Sequence, residues 1–139
     1  MISSFKDRYY FLSNFYEAPV EYEGIVYQSN EAAFQAQKTL DPIEKNQFKD
    51  YSASRAKYYG RKVKLRPDWE EVKDKIMYEI CLAKFTRNGY LKRALLETKG
   101  KYLIEGNTWG DTYWGVVNGV GQNKLGRILM RVRKELSDE

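Results

Sequence analysis

Residues 20–38 read VEYEGIVYQSNEAAFQAQK, and the reading of this stretch decides the fold. Val20 to Gln28 sets β-branched and aromatic residues on either side of Glu23-Gly24, the pattern of two short strands joined by a tight turn. Ser29 then stands where a helix needs an N-cap, and the periodicity predicts a helix over Asn30 to Lys38. Outward from this stretch, helical signals dominate. Asp41 caps a second helix with Pro42 in its first turn, and Ser52 to Tyr59 forms a third, ended by Gly60. After Arg66-Pro67-Asp68 comes the longest helix. Its apolar stripe is Trp69, Val72, Ile76, Ile80 and Ala83, its wet face is Glu70, Glu71, Lys73, Asp74 and Lys75, and it ends near Asn88-Gly89. A helix over Tyr90 to Glu97, an irregular stretch from Gly100 to Gly121 and a last helix from Gln122 to Leu136, striped by Leu125, Ile128, Leu129, Val132 and Leu136, complete the chain. The fold class is α+β, mostly helical with a small antiparallel β element, and the expectation is one domain over residues 1–139.

Composition narrows the chemistry. The chain carries 24 Lys plus Arg against 19 Asp plus Glu, a net charge of +5, which favours anionic partners. Histidine is absent, which removes the usual general base, the commonest metal ligand and every Ser/His or Cys/His nucleophile arrangement. Acid–base work would fall to carboxylates, Lys or Tyr. The one cysteine, Cys81, cannot close an internal disulfide, and without His beside it a zinc site is implausible, so neither metal nor cofactor is expected. The opening MISSFKDRYYFLSNF lacks a signal peptide's apolar core, and no apolar run nears the roughly 18 residues of a membrane span, so a cytoplasmic chain is expected. No obligate protein partner is evident.

Familiar nucleotide motifs fail on spacing. Gly119-Val120-Gly121 lacks the third glycine of a dinucleotide fingerprint, and Gly121 to Gly126 is followed by Arg127-Ile128 where a phosphate loop has Lys-Ser/Thr. A Gly-rich loop entering a helix N-terminus remains, able to hold one phosphate or merely to turn. Three segments carry polar residues that need a reason. Glu31, Gln35 and Lys38 fall at i, i+4 and i+7, so one helix face presents a carboxylate, an amide and an ammonium; blandly read, Glu31 is a solvent-facing first-turn acid and Lys38 is solvated. Trp109-Gly-Asp111-Thr-Tyr-Trp114-Gly115 sets two tryptophans around a carboxylate, either an aromatic wall at a site or a loop pinned to the core. Arg55, Lys57, Arg61, Lys62, Lys64 and Arg66, with Tyr58 and Tyr59 among them, suit a nucleic-acid backbone or form a solvated charge run.

The sequence resembles the NADAR (YbiA-like) family along nearly its whole length. The matching pieces are FLSNF from Phe11, SNEAAFQAQK from Ser29, LRPDWEEVK from Leu65, AKF from Ala83, LIEGN from Leu103, GDTYWG from Gly110 and GQNKLGRILMRVR from Gly121. Many members have His directly after the first-helix acid, where this chain has Ala32. The resemblance implies cleavage of an N-glycosidic bond between a ribosyl carbon and a nitrogen base. By motif match it places the site on Glu31, Lys38, Trp69, Asp111 and Trp114, with the two carboxylates suited to catalysis and the others to the substrate; Gln35 and Trp109, from the segments above, and Asn123 are further candidate contacts. Glu31, kept ionised by the helix dipole, suits charge stabilisation or the base role, and Asp111 the acid role, with the reverse assignment open. The substrate implied is ADP-ribose on guanine in DNA, preferred for the Arg55 to Arg66 run, or a phosphorylated ribosylamino-pyrimidine of riboflavin synthesis. A non-catalytic ADP-ribose or nucleic-acid reader is the alternative from another class.

Overall fold

In the computed structural model, which describes residues 1–138, the hairpin has longer arms than the sequence suggests. Strand β1 (Glu17–Tyr22) pairs antiparallel with β2 (Ile25–Ser29) through Tyr22↔Ile25, Glu21↔Val26 and Val20↔Tyr27. Glu23 and Gly24 both adopt left-handed φ, +48° and +87°, which the two-residue turn requires. The register shifts between Val20 and Glu17. Pro19 lies in that irregularity, where the ladder donor it lacks is not needed, and its carbonyl accepts from the Asn88 side chain. That proline is why the sequence suggests a start at Val20.

The described chain builds two units, residues 14–88 and residues 1–13 with the stretch from Gly89 onward. In the first, α1 (Asn30–Ala36) leaves β2 without a loop, and the Ser29 hydroxyl accepts from the Ala32 N–H at 3.1 Å. Every residue of α1 is buried. The helix stops at Ala36, two residues before the expected end, because the Gln37 and Lys38 N–H groups bond three residues back, to Phe34 and Gln35. Asp41 caps α2 (Pro42–Gln47), as the sequence predicts, and Ser52, expected as the first residue of the third helix, is instead the cap of α3 (Ala53–Gly60). The small buried face of α3, Ala53, Ala56 and Gly60, packs on α1.

Helix α4 (Trp69–Arg87) ends on Asn88 as expected, but its buried face is rotated. Trp69, Ile76 and Ile80 are joined by Met77, Cys81, Lys84 and Phe85, while Val72 and Ala83 are only half-buried. Lys73, expected in water, keeps 15% of its side chain exposed and pairs with Glu70 at 2.7 Å.

In the second unit, a 3-10 turn (Asp7–Leu12) carries the buried Leu12, and α5 (Gly89–Leu96) packs on α6 (Lys124–Ser137), with Leu91 and Leu95 of the one and Leu125, Leu129, Val132 and Leu136 of the other buried. Ile128, expected in the stripe, is half-buried. The intervening stretch is irregular, held by isolated bridges Ile2↔Leu103, Gly106↔Val116 and Val117↔Val120. Among the described residues no helix is long and apolar enough to cross a membrane.

Candidate functional site

Within residues 14–88 the polar face of α1 is buried, contrary to the solvent-facing acid that the bland sequence reading supplies. Glu31 is 9% exposed and Gln35 7%. One helical turn apart, they meet directly: the Gln35 Nε2 donates to Glu31 Oε2 at 2.7 Å. The FLSNF segment supplies the start of the helix, since the Glu31 N–H donates to the Asn14 carbonyl at 2.9 Å and the Asn30 amide donates to Asn14 Oδ1 at 3.2 Å. Lys38 lies just past the helix and is half-buried, its carbonyl fixed by the Arg66 N–H at 2.8 Å. Burial lowers the Lys38 ammonium below the usual lysine range, the Glu31 carboxylate opposes that shift, and the positive charges of Arg61 and Lys73 add to it. A carboxylate and several cations therefore share one electrostatic neighbourhood. Trp69 is buried, its ring tilted against Phe34 with centroids 5.0 Å apart.

The second group lies in the other unit and forms a braced loop. Asp111 Oδ1 accepts from the Tyr113 and Trp114 N–H groups at 3.0 and 2.9 Å, and the Asn107 side chain ties Trp109, Asp111 and Glu105 together. Trp114 is half-buried, edge-on to Tyr113, whereas Trp109 is 61% exposed and so is not pinned to the core. Carbonyls of this loop cap α6. Those of Thr112, Tyr113, Trp114 and Gly115 take the N–H groups of Gln122, Lys124, Leu125 and Asn123. These donors are already engaged, so the Gly119–Gly121 segment reads as a turn, not a phosphate cradle. Asn123, a candidate ligand contact, places both ends of its amide on backbone: Oδ1 accepts from the Glu105 N–H and Nδ2 donates to the Leu103 carbonyl, each at 2.9 Å. Its left-handed φ of +52° suits the bend into α6.

The basic stretch divides by environment. Arg66 is committed to Asp68 through two hydrogen bonds of 2.7 and 3.1 Å. Lys57 is half-buried and lies over the Phe15 ring. Arg55, Arg61, Lys62 and Lys64 are exposed, with Arg55 over Tyr51 and Lys62 over Tyr58. Tyr51 and Tyr59 stack at 4.8 Å.

Sequence reasoning passed over one buried charge, Lys84. It is fully buried with its ammonium near the Tyr16 and Phe85 rings, and burial pushes the amine down to about 8. Neighbouring Cys81 is buried too, its thiol pushed up to about 12. The signal was there: Ile76, Ile80 and Lys84 recur every fourth residue on the buried face.

A protein-family model described as the NADAR domain matches residues 3–137. The chain belongs to the NADAR family. It is 36% identical over 140 residues to the N-glycosidase YbiA of Escherichia coli (strain K12), covering 98% of this chain and 87% of that protein. A riboflavin biosynthesis protein of Vibrio vulnificus (strain YJ016) is 35% identical over 132 residues, 92% of this chain but 36% of its own length. A chloroplastic riboflavin biosynthesis protein of Arabidopsis thaliana is 42% identical over 76 residues, 54% of this chain and 12% of its own length. The NMR structure of E. coli YbiA superposes with a TM-score of 0.86 at 35% identity, covering 99% of this chain and 83% of that one. The mostly helical α+β fold with a two-stranded antiparallel sheet is thus the YbiA fold, in a NADAR family that includes N-glycosidases.

Proposed function

We propose that the protein hydrolyses the N-glycosidic bond of a phosphorylated ribosyl base, and that its substrate is ADP-ribose carried on guanine in DNA. The observation that carries the reading is Glu31, a buried carboxylate held by an amide donor and in electrostatic range of the Lys38 ammonium, in a chain whose relatives are named N-glycosidases. Breaking the bond between the ribosyl C1′ and nitrogen builds positive charge on the sugar; water then bonds to C1′, its proton passing to a base, while the leaving nitrogen gains a proton. Glu31 would stabilise that charge or accept the water's proton, and Lys38 would bind a phosphate or hydroxyl oxygen. Trp69, with Phe34, would wall the ligand on one side. Asp111 and Trp114 enter through their place in the GDTYWG segment shared with the family, and the acid role of Asp111 rests on that match.

DNA is favoured over a small ribosyl phosphate because Arg55, Lys62 and Lys64 are exposed and interleaved with tyrosines, of which Tyr58 is 51% exposed. Reversing these three charges to Glu should weaken turnover of ADP-ribosylated DNA and flatten its log–log salt dependence by roughly 2 to 3, one contact's worth per cation. Turnover of the free ADP-ribosyl nucleoside should not change. Equal effects on both, or on neither, would remove the support for DNA. The second reading, a phosphorylated ribosylamino-pyrimidine, is favoured by the riboflavin names of two relatives. Consumption of that compound alone would establish it, and binding without turnover of either substrate would indicate a reader.

We also propose that no metal ion takes part. The chain has no histidine, and its one thiol is buried with its ionisation pushed up to about 12. Turnover in excess EDTA should equal turnover without it; a loss reversed by a divalent cation would refute this.

A further inference from the structure

We propose that Gly60 and Gln35 act together as positioning residues that set the Glu31 carboxylate. The proposal rests on the reading of Glu31 as the carboxylate that does the chemistry. The Gln35 amide has unequal surroundings at its two ends. Nε2 donates to Glu31 Oε2 at 2.7 Å, while Oε1 is buried without a hydrogen-bond partner. A buried acceptor left unpaired is costly, so something must hold the side chain there. Flipping the amide is no escape, since it would set a carbonyl oxygen against the carboxylate.

Gly60, at the end of α3, is the other half of the device. A Cβ built on Gly60 would overlap Gln35 Oε1, and would come within 2.7 Å of Gln35 Cδ and 3.2 Å of its Cβ. Backbone conformation does not call for glycine here: Gly60 lies within a helix and is not among the residues with positive φ. In a helix, alanine is the better residue by about 1 kcal/mol. What glycine provides is space. The α3 backbone closes over the far end of the Gln35 amide, and the near end is thereby aimed at Glu31. Any side chain at position 60 must displace Gln35 and withdraw the donor from Oε2. Gln35, a candidate substrate contact by sequence, becomes instead a group that acts through its neighbour.

The test is a cycle of Gly60→Ala, Gln35→Ala and the double variant, with Glu31→Gln alongside, assayed on whichever of ADP-ribosyl guanosine and the ribosylamino-pyrimidine phosphate the wild type consumes. Gly60→Ala and Gln35→Ala should each lower kcat about a hundredfold with KM within about twofold, the signature of a misplaced catalytic group. The double variant should be no slower than Gln35→Ala, because the methyl at position 60 then has no amide to displace. Should Gly60→Ala fail to fold, Gln35→Ala and the double variant decide alone. Wild-type kcat in Gln35→Ala, effects that multiply in the double variant, or a raised KM with kcat kept would each overturn the proposal, the last by making Gln35 a ligand contact. If Glu31→Gln is inactive while the cycle shows no effect, only the positioning role fails; if Glu31→Gln is active, the reading of Glu31 fails first.

Discussion

Glu31→Gln should reduce kcat at least about a thousandfold, the scale on which a positioned carboxylate contributes to such a step. The fold should survive. Gln is nearly isosteric, and its carbonyl oxygen can still accept from Gln35 Nε2, so the 2.7 Å contact has a neutral replacement. Truncation would be a poorer experiment. Glu31→Ala would leave the buried Gln35 donor without its acceptor, at a cost of about 1 to 3 kcal/mol, and would confuse a catalytic loss with a structural one. Single-turnover rates, ligand affinity by calorimetry and a melting curve separate the effects: turnover should collapse while affinity and melting temperature stay close to wild type. Turnover within about tenfold of wild type would end the catalytic assignment, because a tenfold loss is only about 1.4 kcal/mol of transition-state stabilisation.

The burial that makes Glu31 interesting depends on residues far away in sequence. Ser29 and Asp41 each cap the helix the sequence assigns to them because capping is a bond to an N–H two or three residues on, a local matter. Glu31 at the first turn of α1 looks the same locally whether it faces water or protein. Its surroundings come from elsewhere: Asn14 takes its N–H, and α3 closes over its hydrogen-bond partner Gln35 at Gly60. Glycine after a short helix reads as a stop signal in sequence, and Gly60 does fall at the end of α3, but its reason is contact across helices.

Other differences have equally specific causes. The 3-10 turn Asp7–Leu12 is too short to show a period, and Pro19 hides the first half of β1 by interrupting its ladder. Asp111 shows how a motif can look chemical and also have a local structural use. Its carboxylate organises the Tyr113 and Trp114 backbone whose carbonyls cap α6, work that any composition count would miss. Apolar patterning, for its part, placed Trp69, Ile76 and Ile80 correctly on the buried face of α4 but chose Val72 and Ala83 over Met77, Cys81 and Phe85, and a stripe assembled from apolar letters alone cannot include Lys84.

That lysine should carry a pH dependence of stability. Lys84 is fully buried, and its amine is pushed from 10.5 down to about 8, mainly by burial, with Cys81 acting weakly in the other direction. Below pH 8 the side chain is protonated in both folded and unfolded states, so its contribution there does not vary with pH. Between about 8 and 10.5 the folded protein has released a proton that the unfolded chain still holds, so the contribution of Lys84 to stability rises with pH and levels off above that window. The span is on the order of 3 kcal/mol. Wild-type stability alone will not display it cleanly. Cys81, raised from 9.0 to about 12, and Tyr22 and Tyr27, both raised above 10.0 by burial, lose stability as pH climbs, since their unfolded forms ionise first. The comparison to make is therefore wild type minus Lys84→Met, in which those opposing groups largely cancel. Urea unfolding of both proteins from pH 7 to 10.5 should show that difference growing in favour of the wild type by about 3 kcal/mol, whichever protein is the more stable at pH 7. A difference that stays constant across the range would mean that the Lys84 amine keeps its proton in the fold, held by partners strong enough to offset its burial.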